Sequence, residues 1–113
     1  MKQITMNEIS DIVTSTVSKY PCIIRIGIFG SYARGDFDNT SDIDILYDYN
    51  SDMEDFDEQI LDFVGDFLDR ITPLKADFVC FENVLKREDD FKRNILDDVR
   101  WLYRAEKREA HVT

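Results

Sequence analysis

The chain has 113 residues, of which 43% are apolar and 12% aromatic. That is enough to fill the core of one compact domain and too hydrophobic for a disordered segment, although 34% of residues are charged. Acidic residues outnumber basic ones, 24 to 14, for a net charge of −10. This argues against a long nucleic-acid face, because phosphate contacts need clustered lysine and arginine, but a bound cation or a basic partner can still meet an acidic surface.

The first segment, "MKQITMNEISDIV", lacks the apolar core of a signal peptide, and no run approaches the roughly 18 apolar residues of a membrane span. A single cytoplasmic domain spanning 1–113 is the expectation. Asn7 to Lys19 reads as a helix with Asn7 as N-cap, since Ile9, Ile12, Val13 and Val17 share one face. "CIIRIGIF", Cys22 to Phe29, is short and β-branched and reads as a buried strand. Cys22 and Cys80 are the two cysteines; without CxxC or zinc spacing they read as free thiols. Gly30 and Ser31 begin a short helical turn, "SYARG", closed by Gly35, and "DFDNTS" is loop.

"DIDILYDY" is the second strand. Alternation sends Asp42, Asp44, Leu46 and Asp48 to one face and Ile43, Ile45 and Tyr47 to the other. Phe56 to Ile71 is an amphipathic helix, with Phe56, Ile60, Phe63, Val64, Phe67, Leu68 and Ile71 inward. Lys75 to Glu82 is the third strand; Asp77, Val79 and Phe81 share a face opposite Ala76, Phe78 and Cys80. Glu88 to Arg104 is read as a last helix, with Phe91, Ile95, Val99 and Leu102 on one side. The order αβαβαβα predicts an α/β fold with a small mixed sheet flanked by helices.

Asp42 and Asp44 sit two apart on a strand, so their carboxylates lie side by side and repel. A divalent cation removes that conflict. Mg²⁺ is the usual ion, held by one or two carboxylates together with substrate phosphates. If strand three lies beside strand two, Asp77 can face the same site, and three carboxylates can hold two ions for displacement at phosphorus. Gly30 lets backbone approach a phosphate and the Ser31 hydroxyl adds a donor. Arg34 could add charge to the phosphate, or it could pair with Asp36 or Asp38 on the surface. Asp48 lies roughly 13 Å beyond Asp44 at strand rise, too far for the same ion.

"FGSYARGDFDNTSDIDILYDY" resembles the signature of the minimal nucleotidyltransferases, which have the DNA polymerase β type fold. Their stretch reads Gly-Ser-x-Ala-Arg-Gly followed by Ser-Asp-(Ile/Leu)-Asp-(Leu/Ile). The likeness continues more loosely through "KADFVCFENVLKREDDFKRNILDDVRWLY". It implies transfer of a nucleoside monophosphate from an NTP, AMP from ATP, to a hydroxyl, with pyrophosphate leaving. Carried onto this chain, Asp42 and Asp44 would ligate Mg²⁺, Asp77 would ligate one ion and assist hydroxyl deprotonation, and Gly30 and Ser31 would hold the terminal phosphates. Many minimal members are antitoxins paired with small HEPN toxins, and some transfer AMP to a tyrosine of the toxin. The alternatives are an antitoxin acting by contact alone and transfer to a small molecule.

Other readings are weaker. An EF-hand placed on "DFDNTSDIDILY" fails at position six, Ser41 instead of glycine, and at position twelve, Tyr47 instead of a bidentate glutamate. No Gly-Lys-(Ser/Thr) follows Gly30, which excludes a Walker-type loop. Phe63, Phe67 and Phe91 read as core aromatics. Cys80, on the face opposite Asp77, reads as packing. His111, seven residues beyond Arg104, reads as tail.

Overall fold

The computed structural model describes residues 4–38 and 40–105. Among the described residues nine elements follow one another: α1 (Met6–Val17), β1 (Ile23–Phe29), α2 (Ser31–Arg34), β2 (Ile43–Tyr49), α3 (Phe56–Ile71), β3 (Ala76–Cys80), α4 (Phe81–Leu85), α5 (Asp90–Asp98) and β4 (Arg100–Arg104). The sheet order is β3-β2-β1-β4. β1 runs antiparallel to both β2 and β4, and β2 pairs in parallel with β3, so the sheet is mixed as expected. Among the described residues, no helix is long and apolar enough to cross a membrane.

α1 starts earlier than Asn7. Its N-cap is Thr5, which forms a capping box with Glu8: the Glu8 amide donates to Thr5 Oγ1 at 3.1 Å, and the Thr5 amide donates to Glu8 Oε1 at 2.8 Å. The Thr-x-x-Glu pattern satisfies two helix-end donors at once, which a lone Asn7 cap would not. Ile9, Val13 and Val17 then point into the core, as their spacing predicts. α3 keeps its predicted bounds and buries Phe63, Phe67 and Ile71, one turn apart. These two helices cover one face of the sheet, packing against Ile26, Ile28, Ile43 and Ile45. Phe67 and Phe78 meet edge to face, with ring centres 5.8 Å apart.

The opposite face is covered by the short α4 and α5. Val84 and Ile95 pack on Phe29 and Leu46, flanked by Val79, Phe81, Val99 and Trp101. Here the chain departs from the predicted last helix, Glu88 to Arg104. α5 ends at Asp98, Val99 turns extended, and residues 100–104 become β4. The helical spacing of Phe91, Ile95, Val99 and Leu102 suits a helix equally well. What decides is the outer edge of β1. That strand is largely buried, and its unpaired amides and carbonyls would otherwise be left without partners. Gly27 makes the pairing possible. A Cβ there would lie 2.6 Å from Val99 Cγ2 and 3.0 Å from the Trp101 ring.

The third strand ends at Cys80, and "FENVL" turns into α4 instead of prolonging the strand to Glu82. Phe91 is 41% exposed, with Arg87 stacked on its ring at 4.6 Å, so it is not the core aromatic expected of it. His111 lies outside the described residues.

Candidate active site

The site forms where β1 turns into α2. Gly30 adopts φ 75°, ψ −149°, a conformation open only to glycine. The chain then makes one helical turn, with the Arg34 amide bonded to Gly30 O at 3.0 Å and Gly35 closing at φ 86°. Tyr32 anchors the turn. It is buried, and its ring stacks on Phe37 with centres 4.0 Å apart. The following loop is tied by Asp38, whose Oδ1 accepts from the Thr40 amide at 2.9 Å and the Thr40 hydroxyl at 2.7 Å. These bonds stabilise the Asp38 carboxylate and lower its pKa, and they lead the chain into Asp42.

Strand register does the rest. Phe29 pairs with Asp44 across β1 and β2, which sets Gly30 directly beside that aspartate. A Cβ at Gly30 would strike Asp44 Oδ2. Asp44 in turn pairs with Asp77 across the parallel β2–β3 ladder, so both side chains share the face that carries Leu46 and Val79. β2 begins at Ile43, leaving Asp42 exposed at its mouth, two residues before Asp44.

The carboxylates feel one another. The Asp44 pKa is raised, first by burial, then by the charges of Asp77 and Asp42; Arg34 works in the opposite direction. Ionised, Asp44 is a partly desolvated anion beside two others, which is a strong reason to attract a cation. Among the described residues, however, no three His, Cys, Asp or Glu side chains are gathered tightly enough to form a metal cage of their own.

Of the two roles open to Arg34, the side chain takes up ion pairing here. Nε donates to Asp36 at 3.1 Å and Nη1 to Asp98 at 2.9 Å. Asp36 was one of the two partners expected. Asp98 was not, because only the ending of α5 at that residue brings it to α2. Asp48 is occupied elsewhere: it accepts from Arg25 Nη2 at 3.0 Å, and the Arg25 guanidinium lies over both the Phe81 and Trp101 rings. Cys80 falls on the face opposite Asp77, as alternation requires. Cys22 is buried, which raises the pKa of its thiol, with Asp55 adding to the effect. At the site Asp42 and Asp77 are exposed and Asp44 is half-buried. A concavity of about 380 Å³ lined by Ile4, Ile12, Arg70, Pro73 and Leu74 includes none of its residues.

The profile of the nucleotidyltransferase domain family matches residues 9–102. A protein from Methanocaldococcus jannaschii named as a protein adenylyltransferase is 35% identical over 104 residues, covering 87% of this chain and all of that one. A second protein of that organism with the same kind of name is 30% identical over 84 residues, covering 71% of this chain and 82% of the other. Among solved structures, a toxin–antitoxin crystallised with AMP-PNP superposes with a TM-score of 0.62 at 15% identity, over 89% of this chain and 77% of that one. At that identity the likeness speaks for the fold. A nucleotidyltransferase from Sulfolobus solfataricus superposes with a TM-score of 0.51 at 28% identity, over 87% of this chain and 78% of that one.

Proposed function

Because the chain belongs to the nucleotidyltransferase family, we propose that it moves AMP from ATP, with Mg²⁺, to a hydroxyl on a protein partner. The partner we assign is a HEPN-type toxin in the cytoplasm, modified on a tyrosine, with this chain as its antitoxin. The observation that carries the reading is the register that sets Asp44 against Asp77 on one side and against Gly30 on the other. A phosphate-accommodating turn and paired acids then lie within one small patch. The names of the Methanocaldococcus relatives support a protein acceptor and the adenylyl group. The toxin–antitoxin structure that shares the fold suggests the setting.

In this reading the acceptor hydroxyl oxygen bonds to the α-phosphorus as the bond from that phosphorus to the bridging oxygen of pyrophosphate breaks. Asp77, the exposed member of the pair, takes the hydroxyl proton. Gly30 and Ser31 hold the terminal phosphates, and Arg34 offers its remaining donors to them. Asp42, Asp44 and Asp77 would be the ligands for Mg²⁺, up to two ions. The fit is chemical: hard carboxylate oxygens and a partly desolvated anion that gains from a cation, with substrate phosphates and water to complete the shell. The ion would supply charge neutralisation on the phosphates. Positioning does the remainder.

Incubation with ATP, Mg²⁺ and the product of the adjacent gene, read by intact mass, tests this. A gain of one AMP on that product is the expected result. Unmodified product would sink the transfer reading. A D42N/D44N double variant separates chemistry from contact: it should lose transfer, and if it still neutralises the partner, contact alone suffices for that part of the function.

A further inference from the structure

Two carboxylates hold Arg34, and they differ in kind. Asp36 is two residues away, in the loop, with its side chain 61% exposed. Asp98 is 64 residues away and only 24% exposed. It is the last residue of α5, and it is fixed from both directions. Ile95, one turn earlier, packs on Phe29 and Leu46, and the Val99 amide returns to Ile95 O at 2.9 Å. Arg100, two residues later, already pairs with Ile28 of β1. Asp98 is therefore a rigid anchor for a half-exposed arginine.

A guanidinium carries five N–H donors in a planar fork. The two bonds use Nε and Nη1, and Nη2 is engaged by neither carboxylate. Arg34 also stands on the turn that Gly30 begins, and Gly30 is set directly beside Asp44. An arginine on a turn beside that carboxylate needs a reason not to collapse onto it.

We propose that Asp98 is a positioning residue: it holds the Arg34 guanidinium beside the Gly30–Ser31 turn with Nη2 left for a phosphate oxygen, and away from Asp44. This rests on the reading of Arg34 as a phosphate contact. It gives the α5–β4 junction a part in nucleotide binding without contact between Asp98 and the nucleotide.

Calorimetric titration of the full chain with a non-hydrolysable ATP analogue in Mg²⁺ tests it. Arg34→Ala should weaken binding about ten-fold, the size of one charge-assisted hydrogen bond. Asp98→Asn, which keeps the shape and removes the charge, should weaken it about five-fold, with Asp98→Glu restoring part of the loss. The transfer rate at saturating ATP should stay the same in Asp98→Asn. In an Arg34→Ala background, Asp98→Asn should add nothing, because its route to the nucleotide is gone. Wild-type affinity in Asp98→Asn overturns the proposal and leaves the Arg34 contact standing, as does an additive effect in the double variant. Wild-type affinity in Arg34→Ala overturns both. A wild-type chain that binds no nucleotide overturns the functional reading beneath them.

Discussion

The two faces of the sheet are built differently. The face under α1 and α3 is closed by two long helices and filled with isoleucine, valine and phenylalanine. The other carries two short helices and a four-residue buried cluster, and its end at Gly30, Asp44 and Asp77 is left open. Both faces belong to the same strands, so each residue of β2 serves one purpose or the other by parity alone. Ile43 and Ile45 are fully buried on the closed side, while Asp44 stands between them on the open side. Core packing and the proposed chemistry are thus separated by one residue of register, which is why a slip in β2 would destroy both.

Substitutions on each face can break that separation or sharpen it. The largest effect is expected on the closed face. Phe67 is fully buried among Phe63, Phe78 and the strand isoleucines. Phe67→Ala should cost about 3–5 kcal/mol in a denaturant titration, from lost burial and the cavity left behind. Transfer should fall only in proportion to the unfolded fraction.

On the open face the signs should be reversed. Asp42→Asn with Asp44→Asn should reduce transfer at least about a hundred-fold, since the candidate metal loses two ligands and the phosphates lose the ion that would neutralise them. The same change should raise the melting temperature of the nucleotide-free protein. The Asp44 pKa is raised in the folded chain, so the fold favours its protonated form. That contribution is present below the unfolded pKa and is lost as pH rises through the folded one. At neutral pH the ionised carboxylate therefore opposes folding, and asparagine relieves it. The same shift predicts that nucleotide binding in Mg²⁺ weakens on acidification at a higher pH than an ordinary aspartate would give. A double variant that melts lower than wild type would refute this account of Asp44.

Much of this division can be read in the chain. The Phe56–Ile71 pattern gives α3 its exact extent because its inward residues recur at helical spacing over four turns, with little else competing. The alternation in "DIDILYDY" gives the two faces of β2 without any knowledge of its neighbours. What escapes is whatever depends on partners distant in sequence. β4 hides because "FKRNILDDVRWLY" satisfies helical periodicity, and only the open edge of β1 makes a strand of its second half. The Arg34–Asp98 pair hides for the same reason, since a helix running on to Arg104 would carry Asp98 elsewhere. The capping box Thr5-x-x-Glu8 is legible locally, although Asn7, two residues on, offers a competing cap side chain.

Gly27 joins the two stories and should show an intermediate effect. It sits on the open face where Val99 and Trp101 close over β1. Gly27→Ala overpacks that contact and should cost about 1–3 kcal/mol in chemical unfolding. Because β4 follows directly from Asp98, the same change should also loosen Arg34 and weaken nucleotide binding. Lost stability with unchanged affinity would show that the β4 junction does not reach the site.

The smallest effect is expected on the outside of α3. Gly65 lies mid-helix with open space where a Cβ would go, one turn after Leu61, which is 71% exposed. Asp57, Glu58, Asp62 and Asp69 border them on the same exposed side. Among the described residues no neighbour requires glycine here, and helical glycine costs about 1 kcal/mol relative to alanine. Gly65→Ala should therefore stabilise the protein by about 1 kcal/mol and leave transfer unchanged, because α3 packs on the face opposite Asp44 and Asp77. A gain in stability with altered transfer would mean that the two faces communicate through the sheet, against the parity on which their separation rests.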